Sequence, residues 1–150
     1  GGEHTLPVVR PDLADPRILE RPLQCGVTVI AAHCGSTSGI FDRDYFRIFE
    51  QMTRRFPRLY GDISALTVPV RGRVVPHCLQ DPLLQRLVHG SDFPVPAFGH
   101  WFYLRGYIDR QTFRRWQSYP NPLERDFQFK LAAGFPLETF TRIRRLLPTP

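Results

Sequence analysis

Cysteine is scarce in this chain. There are three, Cys25, Cys34 and Cys78, an odd number without a C-x-x-C spacing. Neither a disulfide framework nor a thiolate zinc site is indicated, and a reducing, cytoplasmic setting is the expectation. No apolar run approaches the roughly 20 residues a membrane helix needs, and Gly1-Gly2-Glu3-His4 is not a basic segment followed by an apolar one, so neither a membrane span nor a signal peptide is expected. No G-x-G-x-x-G follows a strand and there is no G-x-x-x-x-G-K-[ST], which leaves dinucleotide and P-loop sites without support. Gly35-Ser36-Thr37-Ser38-Gly39 fails as a nucleophile elbow because its centre is threonine, and reads instead as a flexible loop beside His33. The chain does not begin with methionine, and its one methionine is Met52, so its start reads as processed, trimmed or internal to a longer protein.

What is present fits one folded domain. A chain of 150 residues buries about two-thirds of its unfolded surface. Hydrophobic residues make up 42% and charged residues 23%, which argues against disordered, collagen-like or coiled-coil readings. Basic residues number 20 against 14 acidic, for a net charge of +6, and 19 of the 20 are arginine. They are scattered from Arg10 to Arg145, so the charge speaks to solubility more than to a nucleic-acid surface. No nucleic acid or membrane partner is expected.

The most informative stretch is Val27-Thr28-Val29-Ile30-Ala31-Ala32, an apolar run without alternation that suits a strand buried on both faces of a parallel sheet. It ends in His33-Cys34-Gly35. An amphipathic helix follows, with Asp42 able to cap it, Phe41 and Phe46 as a staple, and Tyr45, Phe46, Phe49, Met52 and Phe56 at three- and four-residue steps; Pro57 ends it. Leu59 to Ile63 reads as a second strand. After a loop rich in proline, glycine and arginine, Asp81-Pro82 reads as the start of a short helix leading into Leu87-Val88-His89, a third strand. Strand starts about 30 residues apart give a β-α-β-α-β rhythm with right-handed crossovers.

Ahead of the first strand, Asp15-Pro16 opens a helix toward Cys25-Gly26 that Pro22 kinks or divides. Beyond the third strand, Phe98 to Tyr119 reads as a long loop with a helical piece around Ile108 to Trp116. Asn121-Pro122-Leu123-Glu124 then starts a helix with a stripe of Leu123, Phe127 and Leu131, stopping at Gly134. A last helix from Pro136 is expected to carry Phe140, Ile143 and Leu147 inward.

In parallel α/β architectures the functional groups gather at the C-terminal ends of the strands. Here those ends offer His33, Asp62 and Asp92. An imidazole and a carboxylate from neighbouring strand ends can hold a divalent cation such as zinc, with a position left for water, and a nearby carboxylate can take the water's proton. Asp92 is the carboxylate expected to do that; its plain alternative is a turn cap, and that of His33 is a satisfied core histidine. His4 is a metal-ligand candidate or a surface-loop histidine. Pro76-His77-Cys78 offers a nitrogen and a sulfur that a strand would point to opposite faces. His89 reads as a core residue or one that orients a ligand, and His100, Trp101 and Tyr103 as pocket lining or cover.

Three segments together, Gly26-Val27-Thr28-Val29-Ile30-Ala31-Ala32-His33-Cys34-Gly35, Leu59-Tyr60-Gly61-Asp62-Ile63-Ser64-Ala65 and His89-Gly90-Ser91-Asp92-Phe93-Pro94, make the chain resemble the C-terminal part of an amidohydrolase-superfamily protein, a metal-dependent hydrolase of the TIM-barrel type. The resemblance covers about residues 1 to 96. It implies a partial (β/α)8 barrel: the last three to four βα units plus C-terminal helices. His33 then matches a sixth-strand metal ligand and Asp92 the eighth-strand aspartate that binds metal and accepts a proton, while His4 falls just after the fifth strand. The implied function is hydrolysis of a C–N or C–O bond in a small molecule by metal-activated water, with decarboxylation in the same superfamily, or a non-catalytic basic polyanion-binding or interaction domain, as alternatives. The family's first-strand H-x-H is absent and 150 residues fall short of the roughly 250 of a full barrel. The expectation is therefore a back portion that works with a missing N-terminal half and is weakly active or inactive alone.

Overall fold

In the computed structural model, residues 11–37 and 43–147 are described. His4, Phe41 and Asp42, to which expectations were attached, lie outside the described residues. The architecture is mixed α/β, and its centre is a three-stranded parallel sheet in the order β1 (Val29–Ala31), β2 (Leu59–Asp62), β3 (Leu87–Val88). Val29 pairs with Leu59 and Ala31 with Gly61, and Asp62 pairs with Val88. Parallel neighbours need a crossover, and each is supplied by helical segments, as the spacing of the strands requires. Among the described residues no helix is long and apolar enough to cross a membrane.

Ahead of β1, Pro16–Leu19 forms a 3-10 turn capped by the Asp15 carboxylate, which accepts from the Arg17 amide, and α1 (Glu20–Gln24) continues it to Cys25. The first crossover is α2 (Phe46–Arg55), whose buried Phe46, Phe49 and Met52 form the expected stripe. Its first amide is satisfied by Asp44, which accepts from Phe46 N at 3.1 Å. The second crossover, read from sequence as a loop, contains α3 (Pro69–Gly72) and α4 (Val75–Cys78), each with proline in its first turn. The short helix expected from Asp81-Pro82 is instead one 3-10 turn, Leu84–Arg86, since β3 begins at Leu87 and leaves room for no more.

Two expectations of burial are corrected. The β1 segment is not buried on both faces: Val27 and Ile30 are 50% and 39% exposed. Among the described residues β1 is an edge strand of the sheet. The C-terminal helices also turn polar groups inward. After α5 (Gly99–Leu104) and α6 (Arg110–Gln117), where a loop was expected around the first of them, α7 (Pro122–Ala132) is capped by Asn121 as read, yet it buries Asp126, Phe129 and Lys130 while Leu123 is exposed. α8 (Leu137–Thr141) and α9 (Ile143–Leu146) flank Arg142; Phe140 packs against the core as expected, but the buried residues are Thr139 and Arg142, and Leu147 is exposed. The reason is the β3 edge, whose backbone groups need partners. His89 N donates to Thr139 O at 3.0 Å, and Arg142 donates to the carbonyls of Leu84 and Leu87.

The core lies between sheet and helices, built on Phe49, Leu59, Ile63, Leu66, Leu87, Phe102 and Phe129. β2 passes so close to α2 that a Cβ on Gly61 would come within 2.5 Å of Phe49 Cζ and 2.9 Å of Cys34 Sγ. Gly61→Ala is accordingly expected to lower stability by about 1–3 kcal/mol through overpacking; urea denaturation followed by circular dichroism measures it, and an unchanged midpoint would contradict the packing described.

Candidate functional site

The three parallel strands bring their C-terminal ends to one side, and four non-glycine residues with positive φ cluster just beyond them. His33 and Cys34 follow β1 (both φ 54°), Ala65 follows β2 (φ 51°) and Asp92 follows β3 (φ 62°). Each such conformation costs about 1–3 kcal/mol and persists only where surrounding contacts enforce it. Those contacts converge on Asp62. Its Oδ1 accepts from the His33 amide at 2.9 Å, from the Ser64 amide at 3.1 Å and from the Ser64 hydroxyl. One carboxylate oxygen thus ties the end of β1 to the turn after β2. The 3-10 turn Ala32–Gly35 is closed further by Ser36, whose hydroxyl donates to His33 O at 2.6 Å.

This network assigns the tautomer of His33. The Ser64 hydroxyl has one proton and spends it on Asp62, which accepts only. Toward His33 Nδ1, 2.6 Å away, Ser64 Oγ must therefore act as acceptor, with Ser64 O at 3.3 Å a second acceptor. Nδ1 carries the proton and Nε2 carries the lone pair. Nε2 faces Asp92 Oδ2 at 3.7 Å. His33 is 5% exposed. Burial, then the Arg71 guanidinium, hold its imidazole below the usual pKa of 6.5, against the opposing pull of Asp62 and Asp92. Near neutral pH a lone pair and a carboxylate oxygen look at each other, an arrangement that repels unless positive charge lies close.

Part of that charge is Arg71, 3% exposed, on α3, whose Nη1 donates to Asp92 Oδ2 at 3.1 Å. Arg71 pairs with Asp92, and at longer range Lys130 lies in the field of Asp62 and Asp92. His33 Nε2 and Asp92 Oδ2 are the two donors that could hold a divalent ion there. A neutral imidazole with Nδ1–H anchored and Nε2 presented is the form that ligates, and two donors of a tetrahedral ion with bonds of about 2.0–2.1 Å stand about 3.3 Å apart, close to the observed 3.7 Å. Among the described residues no group of three or more histidine, cysteine, aspartate or glutamate side chains is arranged to hold a metal ion.

The other sequence candidates are distributed elsewhere. Asp62 is a scaffold for His33. His77 lies on α4, a helix where extended backbone was assumed, with its ring 5.9 Å from that of Phe46, while the neighbouring Cys78 is buried. Cys34 donates to Asp62 O at 3.1 Å, and its hydrogen bond with Cys78, followed by burial, pushes its thiol pKa well up, so it serves as a core thiol. Ser36 and Thr37 are buried, whereas a flexible loop was expected there. His89 Nε2 stands 3.3 Å from Asp126 Oδ2. His100 and Tyr103 pack on Phe113 of α6, and Arg105 lies over Trp101 at 4.4 Å. An apolar cavity of about 170 Å³ beside β1, lined by Leu13, Ile18, Leu19, Ile30, Ala32 and Gly35, reaches the backbone on both sides of His33. Sequence reasoning missed Ser64, Arg71 and Lys130 as members of this region. Asp62-Ile63-Ser64 carries a usable signal, an aspartate two residues before a serine at a strand end, whose side chain can accept from the backbone; Arg71 is lost among the other arginines.

Comparison with known protein families, with curated proteins and with solved structures finds no match to this chain.

The assignment of His33 is open to two measurements. Nitrogen-15 NMR of the ring should show the Nδ1–H tautomer and a pKa below 6.5; the Nε2–H tautomer would contradict the Ser64 network. Because the folded-state pKa is lowered, the unfolded chain takes up the proton first. The contribution of His33 to stability is fully present above about pH 6.5 and is lost as pH falls through the folded-state value. Arg71→Gln removes one lowering influence and should raise the His33 pKa.

Proposed function

We propose that this chain carries part of the active centre of a metal-dependent hydrolase of the amidohydrolase type, acting on a C–N or C–O bond of a small molecule. In this reading the three parallel strands are the sixth to eighth of a (β/α)8 barrel, completed by an N-terminal half. The single observation that carries it is the pairing of His33 Nε2 with Asp92 Oδ2 across 3.7 Å, from two strand ends, with the tautomer fixed so that nitrogen lone pair meets carboxylate. His33 and Asp92 would hold the ion, and the chemistry a divalent cation supplies there is Lewis acidity that draws the pKa of water toward neutrality.

The chain's own residues account for the remaining work. Asp62 and Ser64 keep the His33 ring from rotating, so its lone pair stays aimed. Asp92 accepts the proton of the attacking water and returns it to the leaving nitrogen or oxygen as the bond breaks. Its side chain is 27% exposed, against 6% for His33, so the acceptor reaches solvent while the ligand nitrogen is sheltered. Arg71 fixes Oδ2, leaving the carboxylate less freedom to turn away.

Zinc titration by calorimetry tests the proposal. The 150-residue chain should bind zinc, and His33→Ala and Asp92→Ala should each weaken binding by at least about tenfold. Zinc uptake unaltered in both variants removes the site. Aryl ester and amide hydrolysis by the chain alone should be weak and fall further in either variant; robust turnover that survives Asp92→Ala overturns the role given to Asp92.

A further inference from the structure

The chain has a single lysine beside 19 arginines, and among the described residues Lys130 is the one basic residue with no exposure at all, at 0%. A fully buried ammonium carries a heavy desolvation cost and is retained only where its hydrogen bonds are met. Lys130 Nζ donates to Asp126 Oδ2 at 2.5 Å and to the carbonyl of Gly90 at 2.9 Å. Asp126 is anchored from the other side by His89 Nε2 at 3.3 Å, and His89 is fastened through its amide to Thr139 O at 3.0 Å. The cluster therefore draws on α7, α8 and the exit of β3 together. A compact ammonium can serve both acceptors from one atom, which the larger planar fork of arginine does not do in a closed space.

The bond to Gly90 is the informative one. Gly90 lies between β3 and Asp92, and a Cβ there would stand 3.1 Å from Ser64 Cβ and 3.4 Å from Asp62 Cγ. Gly90 is thus seated against the two residues that aim His33. The Asp92 backbone that follows is held in the left-handed region, closed by Val95 N donating to Asp92 O at 2.8 Å and by Phe93 N donating to Ser91 Oγ at 3.2 Å. A conformation of that kind needs its entry point fixed. Burial pulls the lysine's pKa down, while Asp126 and, at longer range, Asp62 and Asp92 pull it up, which puts its charge in the field of the same carboxylates.

We propose that Lys130, through the Gly90 carbonyl, is the positioning residue of the centre: it sets Asp92 at the end of β3 and keeps Gly90 pressed against the Asp62–Ser64 support of His33. The assignment rests on the metal-site reading given above. It differs from a merely structural role in one respect. Removing the ammonium should harm the centre even where stability is restored.

The experiment compares wild type, Lys130→Met and the double variant Lys130→Met/Asp126→Leu, with His33→Ala as reference. The single variant leaves the Asp126 carboxylate buried without its ammonium and should melt at lower temperature. The double variant replaces both charges with apolar groups and should regain most of the lost melting temperature. In the double variant, zinc affinity should nevertheless stay at least tenfold below wild type, and the Phe93 and Val95 amides should exchange with deuterium at least tenfold faster without metal. Zinc affinity that recovers together with the melting temperature overturns the role of Lys130 and leaves the metal reading standing. If wild type takes up no zinc, or His33→Ala takes up as much as wild type, the metal reading fails; the exchange rates then decide alone, and unchanged rates in the double variant overturn the positioning role.

Discussion

The carboxylate of Asp62 is the constraint from which the rest of this region follows. It sits at the last position of the central strand, and a single oxygen accepts from the backbone of His33 on one neighbour and from the backbone and hydroxyl of Ser64 in its own turn. Hydrogen bonds to an ionised acceptor are roughly twice as strong as neutral ones. Three of them on one atom can offset the unfavourable φ of His33 and Ala65, which unaided would relax to ordinary loop conformations. Once Ser64 has given its proton to Asp62, the tautomer of His33 follows by elimination, and with it the chemistry that the ring can present.

The rest of the molecule supports that end of the sheet from beneath. α2 lays Phe49 against Gly61 and Gly35, so the β1 exit and the middle of β2 rest on one aromatic side chain. α3 brings in the buried Arg71 against Asp92. On the far side, α7 and α8 use polar groups where helices ordinarily use leucine, because the strand they cover ends in open carbonyls and amides. Lys130 answers Gly90 and Arg142 answers Leu84 and Leu87, while the backbone carbonyl of Thr139 accepts from His89 N. Unmet backbone groups there would cost more than the apolar contacts foregone.

Much of this was legible from residues in order. The α2 stripe, the Asn121 cap and the spacing of the strands all depend on local pattern, and each appears where it was read; the apolar run before His33 forms a strand too, though a shorter and more exposed one. The inward faces of α7 and α8 were not legible. A stripe of Leu123, Phe127 and Leu131 looks like a core face by hydrophobicity alone, but burial of Asp126 and Lys130 is set by partners just past β3, some 40 residues away. The crossover helices α3 and α4 were hidden for a related reason: four-residue helices rich in proline and glycine are stabilised by what they pack on, since so short a helix has no stability of its own.

The sequence by itself determined that three strands would run parallel and that a histidine and two aspartates would stand just past them, because strand length, β-branched content and turn residues are properties of contiguous chain. Only the tertiary structure decided that the two aspartates differ in kind. Asp62 turns back to hold His33 by its backbone while Asp92 faces the ring across a gap shared with Arg71, and that division depends on distances between segments 21 to 59 residues apart, which no local pattern encodes.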